Sequence, residues 1–349
     1  MIEIKTEKEE NKSLKAFNSF GFEAKARYFA APDSENKIMS LLDDARKHDI
    51  PVFVLGGGNN VVFTKDFDGL VLCPKIESIS IISEDSVDIL LDIGAGVVWD
   101  DFVHYTSYVN FNGISGVENL AGIPGTVGAA PVQNIGAYGM EVKDAIFTVR
   151  GIYIDDNKTF LLKKSDCQFA YRDSIFKNSL KQKTVITCVT FKLSKKHEYK
   201  LDYGNLKDEL AKYDKINLRN IRQAVLDIRA AKLPDPKKLG NAGSFFKNPV
   251  VERSEVERLM EQFPLMPTYP VDNPDASRDK VKLSAAWMIE NCALKGYRQN
   301  NIGVHHKQAL VLVNYGGGTA QELIDFSQMV QDRVFDKFGV KIEPEVVLN

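Results

Sequence analysis

The chain has 349 residues and little cysteine. Its four cysteines lie far apart, and no two of them form a C-x-x-C pair; they are Cys73, Cys167, Cys188 and Cys292. This spacing argues against zinc ribbons and thioredoxin-type redox centres, and it is typical of a protein from a reducing compartment. No metal site is predicted.

The sequence also lacks recognisable targeting segments. The opening stretch MIEIKTEKEENKSLK is charged and has no apolar region of the signal-peptide kind. No apolar run reaches the roughly 18 residues that a membrane helix needs. We therefore expect a cytoplasmic protein that does not bind a membrane.

No strong excess of one charge is present. The formal net charge is −2, so no overall positive field favours nucleic acid as a partner. Basic residues do gather in KKLGNAGSFFK, residues 237–247, and such a patch suits an anionic small molecule. We expect a small-molecule ligand and a monomeric chain.

Several common motifs are incomplete. The stretch GGGNN at 56–60 is not followed by the Gly-Lys-Ser/Thr of a Walker loop, and GAGVVW at 94–99 has Trp99 where the Rossmann pattern has its last glycine. Ser244 is not in a G-x-S-x-G elbow. A Rossmann nicotinamide domain and a hydrolase triad are therefore disfavoured.

Hydrophobic periodicity predicts mixed α and β structure. At this length we expect two or three domains, with boundaries near residues 75 and 233. Apolar residues at helical spacing predict helices at 36–48, 99–109, 220–232, 251–263, 283–294 and from Thr319 to about Phe338. Strands are predicted at 51–55, 145–154, 158–162, 184–193, 309–313 and 341–349, of which 145–193 reads as antiparallel. The capping box Thr319-x-x-Glu322 marks the start of the last helix.

Two glycine-rich segments are candidate ligand loops. In GGGNN, glycine lets the backbone approach a phosphate closely, but a tight β-turn explains an isolated triple glycine equally well. The segment GIPGTVGAAPVQNIGAYG at 122–139 is almost free of charge, unlike a polar flexible linker. Its small residues and its amides suit a flat ligand, and a buried irregular loop is the alternative.

Isolated polar residues give weaker signals. Arg172 in YRDSIFK suits recognition of a carboxylate, although an Arg-Asp neighbour pair is commonly a surface ion pair. His305 and His306 are candidate ligands or bases, and a structural role is the more common explanation. Glu345, in Glu-Pro-Glu near the end of the chain, is usually read as solvated surface. None of these residues alone predicts a reaction.

Taken in order, these blocks resemble one enzyme family. LGGGNNVVF, GIPGTVGAAPVQNIGAYG, YRDSIFK, KLPDP, GNAGSFFKNP, LKG, HKQALVLVN and EPEV occur as in the UDP-N-acetylenolpyruvoylglucosamine reductases, also called UDP-N-acetylmuramate dehydrogenases. The resemblance runs from about residue 15 to the end. DYGNL at 202–206 resembles the substrate-covering tyrosine loop of the longer subtype. Asn59 stands where serine is more usual, and the run 273–279 looks like an insertion without an assignable role.

The resemblance implies an α+β fold. A two-domain FAD-binding unit of the vanillyl-alcohol-oxidase or PCMH type is expected at 1–75 and 76–232, completed by 339–349. A third α/β domain, at 233–338, is expected to bind the substrate. The resemblance implies FAD contacts by residues of the two glycine-rich segments and by one arginine: Gly56, Gly57, Gly58, Asn59, Asn60, Gly122, Ile123, Gly125, Gln133, Asn134, Gly136, Tyr138 and Arg229.

The implied reaction is reduction of an enolpyruvyl ether on UDP-N-acetylglucosamine. NADPH reduces FAD, the hydride adds to the vinyl carbon, and negative charge spreads toward the carboxylate. Arg172 is expected to stabilise this charge, and Glu345 helps only if it is protonated and buried. Ser244 is the expected general acid, with Gly243 forming the turn and two phenylalanines excluding water. Implied substrate contacts, chiefly to the nucleotide and diphosphate, are Tyr203, Lys232, Asn248, Lys295 and Gln308.

Two alternatives remain at this point. One is another FAD oxidoreductase of the same fold that acts on a different substrate. The other is a nucleotide-sugar binding protein without catalysis, against which the presence of Ser244, Arg172 and Glu345 argues. Flavin absorbance separates the enzymes from the binding protein, and the substrate that reoxidises the flavin separates the two enzymes.

Overall fold

The computed structural model describes residues 8–109, 113–271 and 279–349, which belong to two units. The first unit takes in the residues up to Lys12, Ala26–Gly57 and Phe67–Ala231, and the second takes in Ser13–Lys25, Gly58–Asp66 and Lys232–Asn349. The predicted division into three domains stays a prediction. Except for Asp279, the predicted insertion at 273–279 lies outside the described residues.

The α-helices are α1 (Glu35–Lys47), α2 (Trp99–Tyr108), α3 (Leu206–Leu210), α4 (Leu218–Lys232), α5 (Arg253–Gln262), α6 (Ala285–Asn291) and α7 (Ala320–Phe338). The strands are β1 (Glu9–Ser13), β2 (Lys25–Ala30), β3 (Val52–Val54), β4 (Val61–Val62), β5 (Phe67–Leu72), β6 (Ile79–Glu84), β7 (Asp88–Gly94), β8 (Gly136–Ala137), β9 (Met140–Glu141), β10 (Ile146–Tyr153), β11 (Thr159–Lys163), β12 (Thr184–Ser194), β13 (Val250–Glu252), β14 (Thr268–Tyr269), β15 (Lys280–Leu283), β16 (Arg298–Gln299), β17 (Ile302–Val304), β18 (Leu312–Asn314) and β19 (Val347–Leu348). Within the described ranges, no helix is both long and apolar enough to cross a membrane.

The first unit contains a small β-sheet with parallel strands, and helix α1 packs on it. Strand β5 pairs in parallel with β2 and with β3. Helix α1 begins after Ser34, whose side chain accepts from the Lys37 N–H, and its buried face includes Ile38, Leu41 and Leu42. These residues pack with Leu70 of β5. The predicted helix at 36–48 and the predicted strand at 51–55 are therefore confirmed, with small differences at their ends.

An antiparallel sheet forms the larger part of the first unit. Its strand order is β11-β10-β12-β7-β6. Val189 of β12 pairs with Val149 on one side and with Ile93 on the other. Trp99 and Phe102 of α2 pack on Phe191 of β12, which places the first turn of α2 against the sheet. The antiparallel strands predicted over 145–193 are confirmed.

The second unit has small sheets around helices α5 to α7. Its sheets have the strand orders β13-β15-β14 and β16-β17-β18, and β19 pairs in parallel with β4. Its core combines Phe20, Phe22 and Val62 with Phe245 and with residues of α7. Segments from both ends of the chain therefore share one hydrophobic core.

The ends of α7 follow the predicted capping chemistry. The Thr319 side chain accepts from the Glu322 N–H, and the Glu322 carboxylate accepts from the Thr319 N–H. The helix ends at Phe338, and the residue that caps it, Gly339, has a left-handed φ of +71°. In contrast, the strand predicted over 341–349 is limited to Val347–Leu348. Pro344 has no N–H to donate, which interrupts a regular ladder.

Candidate functional site

In the second unit, Ser244 lies on a sharp turn. Gly243 has a φ of +70°, a left-handed conformation that glycine adopts without strain. The Asn241 side chain fixes this turn, because its Oδ1 accepts from the Gly243 N–H at 2.9 Å and its Nδ2 donates to the Leu239 carbonyl at 2.7 Å. Ser244 itself is exposed. The turn therefore presents the hydroxyl-bearing residue at the surface of its unit.

The two phenylalanines that follow Ser244 anchor the turn. Phe245 and Phe246 are each 1% exposed, and their ring centroids are 5.0 Å apart. Phe245 also packs edge-on against Phe20, with centroids 6.2 Å apart. The rings hold the backbone, as predicted. Both rings point into the core, while Ser244 is exposed in the protein alone. That the rings keep water away from Ser244 when ligands are bound stays a prediction.

Glu345 is attached to this same turn. Its backbone N–H donates to the Phe245 carbonyl at 2.7 Å, and the Lys247 N–H donates to the Glu343 carbonyl at 3.1 Å. The Phe245 N–H in turn donates to the Leu310 carbonyl at 2.7 Å. The backbone around Glu345 is therefore fixed next to the residues that follow Ser244. The glutamate itself is half-buried.

The end of the GGGNN stretch supports Glu345 within the second unit. The Asn60 Nδ2 donates to the Glu345 carbonyl at 3.2 Å, and the Asn60 carbonyl accepts from the Val347 N–H at 3.0 Å. Asn59 donates to the Ser19 hydroxyl at 3.0 Å. Both asparagines therefore have contacts with protein groups, and these contacts hold the backbone of the loop.

Gly58 cannot be replaced without rearrangement. Its φ is +69°, and a Cβ at this position would lie 1.8 Å from the Phe17 carbonyl oxygen. The Ser19 N–H donates to the Gly58 carbonyl at 3.2 Å. This close approach of two backbone segments explains why a glycine stands in the middle of the stretch.

In the first unit, Gly56 brings the two glycine-rich segments together. A Cβ on Gly56 would lie 2.9 Å from the Cβ of Ala129, in the middle of segment 122–139. The Gly56 carbonyl accepts from the Cys73 thiol at 3.5 Å. Burial raises the pKa of that thiol, so Cys73 stays protonated and has a structural role in the core.

The segment 122–139 is attached to the first turn of α2. The Gly122 N–H donates to Asp100 Oδ1 at 2.6 Å, and Arg222 of α4 donates to Asp100 Oδ2 at 2.5 Å. The Trp99 N–H donates to the Gly125 carbonyl at 3.0 Å. Asp100 was not predicted as a site residue. No sequence motif marks it, since its partners lie in distant segments of the chain.

Arg172 is held against the same segment. Its φ is +54°, and its Nη2 donates to the Gly136 carbonyl at 2.7 Å. The Lys177 ammonium donates to the Arg172 carbonyl at 2.9 Å. The guanidinium packs over Tyr171, with 5.5 Å from its central carbon to the ring centroid. The structure thus brings two predicted site residues, Arg172 and Gly136, together.

Asn134 has a structural use for its side chain. It is 0% exposed, its Nδ2 donates to Glu141 Oε2 and to the Ala170 carbonyl, and its Oδ1 accepts from the Lys143 N–H. Because these contacts occupy the amide, any contribution of Asn134 to a ligand would come from its backbone. Gln133, the residue before it, is half-buried.

Two predicted tyrosines meet in the first unit. The rings of Tyr138 and Tyr203 are edge-to-face, with centroids 6.5 Å apart. Burial raises the pKa of the Tyr138 hydroxyl, whereas nearby Arg229 opposes this shift. Burial also lowers the pKa of Arg229, with Tyr138 and Asp100 acting in the opposite direction. Arg229 lies close to the segment, since a Cβ on Gly122 would be 3.2 Å from its Nε.

The remaining predicted substrate residues lie mainly in the second unit. Asn248 Oδ1 accepts from the Ala285 N–H of α6 at 3.0 Å. Gln308 is half-buried, and its Oε1 lies 3.4 Å from the Leu310 N–H. Lys295 is exposed and its ammonium lies 2.8 Å from Glu290 Oε1, and Lys232, at the end of α4, is exposed.

His305 is the buried member of the histidine pair. It is 5% exposed, and its ring lies 4.5 Å from that of His306. Burial, followed by the neighbouring His306 and Lys307, lowers the pKa of His305. A neutral, packed imidazole agrees with the structural explanation for this residue.

Comparison with protein-family models gives two matches. Residues 26–155 match an FAD binding domain. Residues 235–349 match the C-terminal domain of UDP-N-acetylenolpyruvoylglucosamine reductase.

Curated relatives match almost the whole chain. A UDP-N-acetylenolpyruvoylglucosamine reductase of Flavobacterium johnsoniae is 44% identical, with 96% of this chain and 98% of the relative covered. A reductase of the same name from Bacteroides fragilis is 44% identical, with 97% of this chain and 99% of the relative covered.

Solved structures are similar at the level of the fold. A crystal structure of UDP-N-acetylenolpyruvylglucosamine reductase from Thermus caldophilus has a TM-score of 0.66 at 20% identity, with 99% of this chain and 98% of that chain covered. A solvent-stable cholesterol oxidase has a TM-score of 0.53 at 10% identity, with 97% and 87% covered. Together with the FAD binding domain, these likenesses confirm the predicted α+β fold with its vanillyl-alcohol-oxidase-type FAD-binding part.

Proposed function

This chain belongs to the UDP-N-acetylenolpyruvoylglucosamine reductase family, and we propose that it reduces UDP-N-acetylglucosamine enolpyruvate to UDP-N-acetylmuramate for peptidoglycan synthesis. The observation that carries this proposal is the extent of the likeness, which reaches over nearly the whole chain and both matched domains. The proposed cofactor is FAD, and the proposed reductant is NADPH.

The first unit offers residues that suit FAD. The positive φ of Gly122 and Gly125 and the close packing of Gly56 on Ala129 are backbone features that small residues permit. Backbone N–H groups of such segments bind phosphates, and Arg229 adds a positive charge. We assign to these segments the binding of the FAD pyrophosphate. FAD held by these residues would supply the hydride chemistry, that is, acceptance of a hydride from NADPH and its transfer to the vinyl carbon of the substrate.

Ser244 is the proposed proton donor. Delivery of a hydride to the terminal vinyl carbon leaves a strongly basic carbon next to the carboxylate, and that carbon needs a proton. A serine hydroxyl is a weak acid, but it protonates so basic a centre when it is held close and water is excluded. The anchored turn around Gly243 supports this role. Because Ser244 is exposed in the protein alone, the bound ligands must provide the exclusion of water.

Arg172 and Glu345 are the proposed stabilisers of developing charge. A guanidinium favours negative charge on the substrate carboxylate, and the hydrogen bond to the Gly136 carbonyl holds that of Arg172 against the glycine-rich segment. A protonated Glu345 donates a hydrogen bond to the same group, whereas an ionised one opposes the reaction. The backbone contacts of Glu345 with Phe245 and Asn60 support a fixed position for this residue.

The substrate nucleotide and diphosphate are assigned to five further residues. Lys232 and Lys295 supply positive charge for the diphosphate, and Tyr203 covers the bound substrate. Asn248 and Gln308 supply amide groups. In Asn248 the Oδ1 already accepts from Ala285, so we assign its Nδ2 hydrogens to the ligand.

The defining experiment follows the flavin spectrum of the purified protein. We expect a yellow protein whose absorbance is bleached by NADPH and restored by the enolpyruvyl nucleotide with formation of UDP-N-acetylmuramate. The saturated product, UDP-N-acetylmuramate itself, serves as the matched control and should leave the flavin reduced. A colourless protein that binds the nucleotide would support the non-catalytic alternative. A flavin that stays reduced with the enolpyruvyl nucleotide would support another oxidoreductase.

A further inference from the structure

Asn119 lies at the centre of a rigid turn in the first unit. The turn is the 3-10 segment Glu118–Leu120, and Asn119 is 0% exposed. The Glu118 carboxylate accepts from the Gly116 N–H at 2.7 Å, and the Leu120 carbonyl accepts from the Trp99 indole N–H at 2.8 Å. The backbone on both sides of Asn119 is therefore fixed.

The side chain of Asn119 joins two separate segments of the chain. Its Nδ2 donates to the Tyr138 carbonyl at 2.8 Å and to the Lys200 carbonyl at 2.7 Å. Carbonyl oxygens only accept hydrogen bonds, so the nitrogen of the amide must face both of them. The Asn119 Oδ1 has no partner among the described residues. The side chain therefore joins the two segments through the two N–H bonds of its amide.

The two segments joined by Asn119 carry predicted ligand contacts. Tyr138 belongs to the glycine-rich segment and has a φ of +47°. Lys200 precedes Tyr203 by three residues, and the Tyr203 ring meets Tyr138 edge-on. The packing is close, since a Cβ on Gly139 would lie 3.2 Å from the Tyr203 Cβ.

Residues 199–203 have further contacts besides the Asn119 hydrogen bond, since Tyr199 and Leu201 also pack against the core of the first unit. The Lys200 ammonium pairs with Asp144 at 3.0 Å, but this lysine side chain is 54% exposed, and exposed ion pairs stabilise little. Tyr203 is 53% exposed. The Asn119 amide is fully buried and donates to a backbone carbonyl of this segment, so it is suited to fix the path of the backbone that leads to Tyr203.

We propose that Asn119 is a positioning residue for the reaction, holding the segment 199–203 against Tyr138 so that Tyr203 is presented to the substrate. This inference rests on the proposed function, because the role of Tyr203 does so. Aspartate cannot replace the asparagine, since an ionised carboxylate has no hydrogen to donate and faces two carbonyl oxygens. Serine retains one donor but does not reach both carbonyls.

The first test compares Asn119→Asp and Asn119→Ser with a matched control, Asn157→Ser. Asn157 also donates its Nδ2 to a backbone carbonyl, that of Met39 at 3.0 Å, and its Oδ1 likewise lacks a partner among the described residues. We expect Asn119→Ser, which loses one buried hydrogen bond, to raise KM for the enolpyruvyl nucleotide about tenfold, and Asn119→Asp, which loses both, to raise it at least as much, with a smaller change in kcat. Asn157→Ser should leave both unchanged. An unchanged KM in flavin-loaded Asn119 variants overturns the inference.

A double-mutant cycle tests whether Asn119 acts through Tyr203. In a Tyr203→Ala background, Asn119→Ser should raise KM by less than about twofold further, because the positioned ring is already gone. Fully additive effects would mean that Asn119 has only a general structural role, which contradicts the proposal.

Amide hydrogen exchange provides a readout that does not depend on activity. In both Asn119 variants, exchange of a peptide spanning 197–206 should accelerate relative to the parent and to Asn157→Ser. If the protein does not reduce the nucleotide, this exchange still decides whether Asn119 holds the segment. Unchanged exchange in a protein that does reduce the nucleotide overturns the inference while the proposed function stands. Asn119→Ser, which keeps a donor, is used if Asn119→Asp does not fold.

Discussion

The backbone N–H of Glu345 donates to the carbonyl of Phe245 at 2.7 Å, which fixes Glu345 beside the turn that carries Ser244. Ser244 and Glu345 lie about 100 residues apart in the sequence but belong to the same unit. Their proposed roles, proton donation and stabilisation of the carboxylate, need such fixed neighbours, because both act on adjacent atoms of one substrate.

Replacement of Ser244 by alanine tests the proton donor. We expect Ser244→Ala to keep the rate of flavin reduction by NADPH and to slow formation of UDP-N-acetylmuramate about 10²–10⁴-fold, the usual effect of losing a general acid. Stopped-flow absorbance separates the two half-reactions. Ser254→Ala, at an exposed serine of α5, is the control and should behave as the parent. Normal turnover by Ser244→Ala would exclude serine as the donor.

Glu345 is tested by two substitutions that differ in hydrogen bonding. Glutamine keeps an N–H donor of nearly the same shape, whereas alanine removes it. We therefore expect Glu345→Gln to reduce kcat less than Glu345→Ala, by about tenfold between the two variants. Both should retain flavin, because the backbone contacts to Phe245 and Asn60 do not need the side chain. Equal losses in the two variants would argue against hydrogen-bond donation.

Gly58 and Gly21 form a matched pair for a test of stability. Both belong to the second unit and have nearly equal φ, +69° and +70°, but a Cβ on Gly21 would meet nothing within 4 Å. Gly21→Ala should lower the free energy of unfolding by about 1–2 kcal/mol, the cost of a left-handed alanine. Gly58→Ala should cost clearly more, since its Cβ would overlap the Phe17 carbonyl. Urea unfolding measures both, and equal losses would contradict the steric argument.

The buried carboxyl of Glu118 predicts a dependence of stability on pH. Burial raises its pKa above the ordinary 4.5, although the N–H groups of Gly116, Glu118 and Val117 oppose this. The folded state therefore holds this proton more tightly than the unfolded state does. The contribution of Glu118 to stability is present below pH 4.5 and is lost as the pH rises from there through the raised folded value.

Glu118→Gln removes this titration and keeps an oxygen that accepts from Gly116 and Val117. As the pH rises above 4.5, we expect the free energy of unfolding of the variant to increase relative to that of the parent. The change amounts to about 1.4 kcal/mol for each unit by which the pKa of Glu118 in the folded state exceeds that in the unfolded state. Urea unfolding between about pH 4 and pH 8 measures the two curves. Parallel curves would show that Glu118 does not titrate differently in the folded state. Glu118→Ala, without the acceptor, should be less stable throughout.

Much of the local structure follows from the sequence. The capping box at Thr319 and the apolar spacing of α1 specify helices through contacts within a few residues, and runs of apolar and β-branched residues specify the strands β10 and β12. Partners in distant segments have no such signature. That residues 58–66 join the second unit depends on the pairing of Val61 with Val347, which no local pattern encodes.

The candidate site shows the same limit. The family resemblance predicts Ser244 and Glu345 as site residues. Their side chains suit the predicted roles, because a hydroxyl can donate a proton and a protonated carboxyl can donate a hydrogen bond. Asn134 and Asn119 donate to backbone carbonyls of distant segments, and these contacts depend on how the backbone folds. The sequence alone does not show that an asparagine in a loop is buried. The exposure of Ser244 could not be predicted either, because two buried aromatic residues follow it directly.

The shared core of Phe20, Phe22 and Val62 with Phe245 has a consequence for biosynthesis. Residues 13–25 and 58–66 are translated early, but the apolar surface that covers them comes from residues after 232. While the ribosome makes the first unit, Phe20 and Phe22 can stack on each other, but Phe245 and the other residues after 232 that complete their core have not yet been made. Their burial waits for the last third of the chain, so the second unit is the late step of assembly.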